Sequence, residues 1–207
     1  MTGTDTHMGK TFVTTELVRR LQESGLKVTA MKPVACGECG RSDAIAYWKL
    51  AGKRVALNQI NPYWFRKPLA PLAQTPNPKI SLSRIKKDFT KLKKKSDFVL
   101  VESAGGLLTP LTWSMSVRDM AKSFKLPLVV VARAGLGTLN HTMLTVDAAH
   151  RAGLKVIAVV LNDNDGKNGK AAAGNQRVLK RILKIPVLIE GFNPSTSSTL
   201  RRLRSYR

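Results

Sequence analysis

Acidic residues are scarce. Only 13 Asp and Glu stand against 35 Lys and Arg in 207 residues, a formal net charge of +22. So basic a chain adheres to polyanions through a sequence-independent, salt-sensitive attraction. Cysteine is nearly missing as well: Cys36 and Cys39, both within CGECG, are the only two. A disulfide framework needs more of them, and a C-x-x-C zinc half-site needs a second pair, so both are excluded. Long hydrophobic runs are lacking too. No stretch approaches the roughly 18 uncharged apolar residues that span a bilayer, and MTGTDTHMGKT has neither the basic nor the apolar region of a secretory signal. A cytoplasmic protein without membrane insertion is expected. What is present, 43% hydrophobic and 23% charged residues, is the balance of a globular domain, and the length suits a single domain over 1–207.

The positive charge is uneven. Residues 79–95 and 177–207 each carry eight basic residues and one acid, together +14 of the +22. In the first stretch Leu82, Ile85, Phe89 and Leu92 recur at helical spacing, which predicts an apolar face with lysines opposite. No zinc finger, aromatic RNA-binding box or helix-turn-helix accompanies this charge. Specific nucleic-acid recognition is therefore not expected, whereas nonspecific polyanion binding is.

Along the chain, helical patterns alternate with short β-rich runs, which predicts an α/β fold: a doubly wound, mostly parallel sheet with helices on both faces. A helical stripe from Phe12 to Leu21 stops near Gly25, and KVTAMKPV reads as a strand ending at Pro33. A helix over 42–50 is expected to open with Ser-Asp as its cap and to close at Gly52. Residues 58–78, rich in Pro and aromatics, read as irregular cover. DFVLVES and PLVVVAR read as strands buried on both faces, LKVIAVVLND and PVLIE as later strands, and a last helix spans about 176–183. Ligands of such sheets gather beyond the carboxyl ends of the strands. Lys32, Glu102, Gly135 to Asn140 and Asn162 all fall there.

Gly3 to Thr11, GTDTHMGKT, runs into a helix, and this is the strongest single motif. Backbone N–H groups of such a loop and the positive end of the helix dipole form an anion cradle. Lys10 would reach the β- and γ-phosphates of a nucleotide, and the Thr11 hydroxyl would bind magnesium. The strict pattern has four residues between its first Gly and the Gly-Lys pair; here five separate Gly3 from Gly9. Asp43 and Glu102 suit the same Mg²⁺ as oxygen donors, and Lys32 is a second cation for a travelling phosphoryl group. Taken singly, Asp43 reads equally as a helix N-terminal charge, and Glu102 and Lys32 as solvated strand ends.

With these residues in view, the chain resembles the dethiobiotin synthetase family, whose phosphate loop commonly reads G-T-D-T-x-V-G-K-T. The likeness continues in order through MKPVACG, RSDA, NPYWF, VESAGGLLTPL, ARAGLGTLNHTMLT, HRAGL and VVLND, most of residues 2–163. The resemblance implies a P-loop NTPase-like cyclo-ligase of biotin biosynthesis. In that chemistry 7,8-diaminononanoate takes up carbon dioxide as a carbamate, ATP phosphorylates the carbamate, and the neighbouring amine closes a cyclic urea. It also implies roles: Lys10, Lys32 and Thr6 in catalysis, and Thr11, Asp43 and Glu102 around Mg²⁺. The nucleotide would lie along Gly3, Thr4, Asp5, Thr6, His7, Met8, Gly9, Lys10 and Thr11, with Glu102, Gly105 and Asn162, the last at the adenine edge. Substrate would meet Lys32 and Cys36. Its carboxylate would be received at a homodimer interface by Gly137, Thr138, Leu139 and Asn140 of the other subunit.

The chain also departs from the family. Cys36 stands where Ser is usual, Ser103 where Gly is common, His7 lies at a variable position, and IEGFNP lacks the usual terminal shape. The apolar strand that precedes T-G-T-D in the family has no counterpart ahead of Thr2, so a gap in the sheet beside the phosphate loop is expected. Two other readings follow from these departures and the charge: a basic P-loop ATPase that binds DNA or a membrane surface, and an impaired homologue that folds only in part.

Overall fold

The computed structural model describes residues 1–37, 41–163 and 166–191. In chain order the first half comprises β1 (Thr2–Gly3), α1 (Lys10–Glu23), β2 (Val28–Met31), β3 (Val34–Cys36), α2 (Ser42–Leu50), α3 (Leu57–Ile60), β4 (Tyr63–Phe65), α4 (Pro71–Gln74), α5 (Leu82–Lys93) and β5 (Phe98–Val101). The second comprises β6 (Pro110–Thr112), β7 (Met115–Ser116), α6 (Val117–Phe124), β8 (Leu128–Arg133), α7 (Thr138–Arg151), β9 (Val156–Asp163), α8 (Gly169–Leu183) and β10 (Val187–Gly191).

The β-branched runs LVVVAR and VIAVVLND have almost no exposed residues, as central parallel strands covered by helices require. They lie in the parallel sheet β1-β8-β9-β10, and β2 pairs with β5, also in parallel. Met1 joins the two groups: its amine donates to Val101 O at 2.7 Å, and Ser103 N donates to Met1 O at 3.0 Å. On its other side Thr2 pairs with Val130, and Thr4 N donates to Val131 O. The expected doubly wound α/β sheet with flanking helices is therefore what forms. Arg20 of α1 and Glu190 of β10, both buried, meet at 2.7 Å and clip the first helix to the last strand.

Several local readings need correction. KVTAMKPV is two strands, because β2 stops at Met31 and the chain bends through Lys32-Pro33 before β3. Residues 58–78 are not all irregular, since β4 pairs with β3 and α4 opens on Pro71, whose missing N–H is harmless in the first turn. Ser-Asp does not cap α2: Arg41, at φ 64°, is the cap residue, and Asp43 is turned to other partners. The last helix begins at Gly169, ahead of the 176 expected, because GKAAAGN carries only Ala and Gly as apolar residues and so shows no repeat of large ones. Helix α5 does bury Ile85 and Leu92, and Ser81 Oγ caps it by accepting from Arg84 N. Among the described residues no helix is long and apolar enough to cross a membrane.

β1 has only two residues, so among the described residues no strand lies between the lower halves of β5 and β8. A cavity of about 210 Å³ lies there, lined by Phe98, Val99, Val101, Phe124, Leu128 and Val129 among others. It explains why β5 is only partly buried, where the sequence suggested burial on both faces. The Met1 amine closes the top of this cavity, and burial lowers its pKa from 8.0 to about 6, against an opposing pull from Glu102.

An added strand would fill the space. Met1 bonds to Val101 and Ser103 and so stands opposite Glu102, and about four residues ahead of it, at ~3.3 Å each, would reach Phe98. Fusing a four-residue β-branched segment before Met1 is expected to stabilise the fold by roughly 1–2 kcal/mol, or about 2–8 °C in Tm. The parent chain should also gain about 2 kcal/mol as pH rises from 6 to 8, because the unfolded amine binds more protons than the folded one in that window. The extended chain, having moved that amine away, should lose this slope; urea titrations at pH 6 and 8 measure both effects.

Candidate functional site

β1 leads directly into the phosphate loop. Gly3 tolerates no side chain, since a Cβ there would lie 2.7 Å from Asp5 O and 2.9 Å from Lys10 Nζ. Gly9 sits at φ +80° as the residue before α1, where a Cβ would fall 1.9 Å from Asn162 Nδ2. The loop therefore wraps tightly onto the helix N-terminus, whose free N–H groups attract anions. Lys10 folds back over it, donating from Nζ to Asp5 O at 3.0 Å.

Three other elements deliver the remaining groups. Lys32 follows β2, and Glu102 follows β5 and donates its N–H to Met31 O at 2.8 Å. Lys32 is held through its backbone: its N–H donates to Ile60 O at 2.9 Å, and the fully buried Asn61, first residue of NPYWF, donates to Lys32 O at 2.8 Å. Asp43 comes from the first turn of α2. The Thr11 hydroxyl donates to Asp43 Oδ2 at 2.7 Å and lies 3.0 Å from Glu102 Oε1. Lys32 Nζ donates to Asp43 Oδ2 and lies 3.3 Å from Glu102 Oε1. Behind Glu102, the Tyr47 hydroxyl donates to Oε2.

Lys10, Lys32 and Glu102 are all buried. Burial, and secondarily the Lys32 charge, lower the Lys10 pKa, while Glu102 partly offsets the fall. The two ammonium groups line one cavity, a charge arrangement suited to a polyanion held between them. Burial and then the Glu102 carboxylate raise the Tyr47 pKa well above its ordinary value, so its phenol stays a donor. Thr11, Asp43 and Glu102 supply hard oxygen atoms, the chemistry Mg²⁺ prefers. Among the described residues no three His, Cys, Asp or Glu side chains cluster as a metal cage. A magnesium ion here would therefore draw its other ligands from phosphate and water.

A cavity of about 500 Å³ brings Thr6, His7, Met8, Gly9, Lys10, Thr11, Lys32, Cys36, Asp43, Glu102 and Gly105 onto one wall. Gly3 lies beneath the loop. Thr4 and Asp5 face a neighbouring hollow of about 290 Å³, shared with Leu108, His141 and Leu144. Asn162, expected at the adenine edge, does not line the cavity and reaches the loop from behind: Nδ2 donates to Met8 O at 3.2 Å, and Oδ1 is buried without a hydrogen-bond partner among the described residues. Gly137, Thr138, Leu139 and Asn140 stand apart, at the start of α7, outside this cavity. Pro68 to Pro71 also line this cavity and carried no signal beyond proline content; Ser103 and Thr109, both within VESAGGLLTPL, line it as well. Tyr47 was hidden as well, because an aromatic four residues after Asp43 reads as core. Cys39 and the terminal FNP of IEGFNP lie outside the described residues.

Comparison with known proteins identifies the family. Residues 1–194 match the family described as AAA domain. The chain is 37% identical over 199 residues to the ATP-dependent dethiobiotin synthetase BioD of Endomicrobium trichonymphae, covering 93% of this chain and 91% of that protein. It is 38% identical over 210 residues to the protein of the same name from Anaeromyxobacter dehalogenans strain 2CP-C, covering 99% and 94%. Among solved structures it superposes on the Pyrococcus furiosus cell division ATPase MinD with a TM-score of 0.51 at 19% identity, covering 90% of this chain and 79% of that one, a likeness of fold.

Gly9→Ala combines a positive φ with collision against Asn162. It should weaken ATP binding at least tenfold and cost about 1–3 kcal/mol of stability. Calorimetric titration with ATP and a melting curve check both effects.

Proposed function

The chain belongs to the ATP-dependent dethiobiotin synthetase family, and on that footing we propose that it carboxylates 7,8-diaminononanoate and closes the ring to dethiobiotin at the cavity above β2 and β5. The observation that carries this reading is the meeting of Lys10 and Lys32, from distant parts of the sequence, beside Thr11, Asp43 and Glu102.

In this reading one substrate amine adds to carbon dioxide and loses a proton, giving a carbamate. Lys32 and Thr6 hold its carboxylate, and Cys36 lies beside it. Lys10 and the loop N–H groups hold the ATP phosphates in line. A carbamate oxygen attacks the γ-phosphorus and ADP departs, while both ammonium groups balance the charge spread over the transferred phosphoryl. The second amine then attacks the carbonyl carbon, and phosphate leaves as the cyclic urea forms. Thr11, Asp43 and Glu102 would hold Mg²⁺, which when bound supplies charge neutralisation to the phosphates. Asn162 would act on the nucleotide through the loop, its Nδ2 holding the Met8 carbonyl.

A homodimer suits the substrate end of this reading. Leu108, Leu136 and Leu144 are exposed around α7, an unusual apolar display on so basic a chain. Burying it against a second copy would bring the start of α7, with Gly137 to Asn140, to the partner's cavity. ATP-consuming biosynthesis of this kind belongs in the cytoplasm.

The direct test is incorporation of labelled carbon dioxide into acid-stable product, with diaminononanoate, Mg²⁺ and ATP. Lys10→Ala and Lys32→Ala should each lower kcat at least a hundredfold, with circular dichroism unchanged; wild-type rates in either would end this mechanism. Phosphate release without incorporation would identify an ATPase of another kind. Cys36→Ser, which supplies a stronger hydrogen-bond donor, should preserve or raise turnover; a tenfold loss would show that the thiol has a role of its own.

A further inference from the structure

Tyr47 has no part in the reading above, yet it touches the site's most deeply buried acid. Its side chain is fully enclosed, in a position that Leu or Phe would fill if volume were the only requirement. A buried phenol hydroxyl costs stability unless it is hydrogen-bonded. Here it meets Glu102 Oε2, while Oε1 faces the cavity beside Thr11 Oγ1 and Lys32 Nζ. Tyr47 and Asp43 are four residues apart on α2 and so project from one helix face. One helical turn thus supplies a carboxylate to the site and a donor to the back of its neighbour.

We propose that Tyr47 is a positioning residue: by engaging Glu102 Oε2 from behind, it directs Oε1 alone toward a divalent cation bound with nucleotide at Thr11 and Asp43. Outer partners of this kind orient a ligand and set its basicity, and their loss commonly weakens metal binding by about 10–100-fold. Without the phenol, Oε2 would be a buried carboxylate oxygen short of a donor, and the group would turn to share both oxygens among Thr11, Lys32 and the cation. The inference rests on the metal site proposed above and adds the residue that orients it.

The test uses Mn²⁺ as a paramagnetic probe, titrated into the protein saturated with ADP, and separately the Mg²⁺ concentration for half-maximal turnover. Tyr47→Phe should weaken Mn²⁺ binding about tenfold and raise the half-saturating Mg²⁺ similarly, with kcat at saturating Mg²⁺ falling less than threefold. Tyr47→Met, which fills the space without a donor, carries the same expectation should the Phe variant be poorly folded. In a Glu102→Gln background, Tyr47→Phe should cause no further loss of Mn²⁺ affinity. A lower melting temperature with Mn²⁺ affinity within twofold of the parent would make Tyr47 mere packing and overturn the proposal. Mn²⁺ binding by the parent that survives both Asp43→Asn and Glu102→Gln would instead overturn the metal site itself, and this proposal with it.

Discussion

Two buried ammonium groups and a buried carboxylate, with the half-buried Asp43 beside them, at one end of a parallel sheet are the constraint on which the rest depends. Isolated charges at such depth would be prohibitively costly, and they persist because each is paired or hydrogen-bonded. Lys32 lies between Asp43 and Glu102, Thr11 links the same two acids, and Tyr47 satisfies Glu102 from behind. Four separate elements, α1, α2, β2 and β5, are therefore locked to one another through the groups that would do the chemistry. Mutating one member must disturb the others, so their effects should be strongly coupled.

The sheet positions this cluster because parallel strands end on one side. β2 and β5 run together and stop together, releasing Lys32 and Glu102 side by side, while β1 feeds the phosphate loop next to them. β1 is short, but it and the preceding Met1 are bonded on both flanks, Met1 to Val101 and Ser103 on one side and β1 to Val130 and Val131 on the other. The loop is thus anchored at its root, although an apolar cavity remains beneath it. Anchorage of the loop and filling of the sheet are separate properties here.

The excess charge is organised differently. The lysines of α5 are exposed, and its one acid, Asp88, is buried beside Arg84 and Lys91. The helix packs on α3 and β5, and none of its residues lines the 500 Å³ cavity. The field within the candidate site comes from a few desolvated groups. The global charge acts on long-range association and is screened by salt.

Much was legible from residues alone. The alternation of periods announced the α/β sheet, the apolar spacing of 82–92 drew α5, and Gly3 to Thr11 marked a tight loop running into α1, because these signals are local and repeat within a few residues. Asp43 showed how a local signal can mislead: beside Ser42 it reads as a helix cap, yet its carboxylate is committed to Thr11 and Lys32. Tyr47, the wall from Pro68 to Pro71 and the orphaned oxygen of Asn162 could be found only once the chain was folded. Each acquires its meaning from a partner dozens of residues away: Tyr47 from Glu102, Asn162 from the backbone of Met8. Sequence determined which elements form and which groups are available, since those follow from near neighbours. Tertiary structure decided which charges face one another, because that depends on where the strands stop and what the low-dielectric interior allows to remain unpaired.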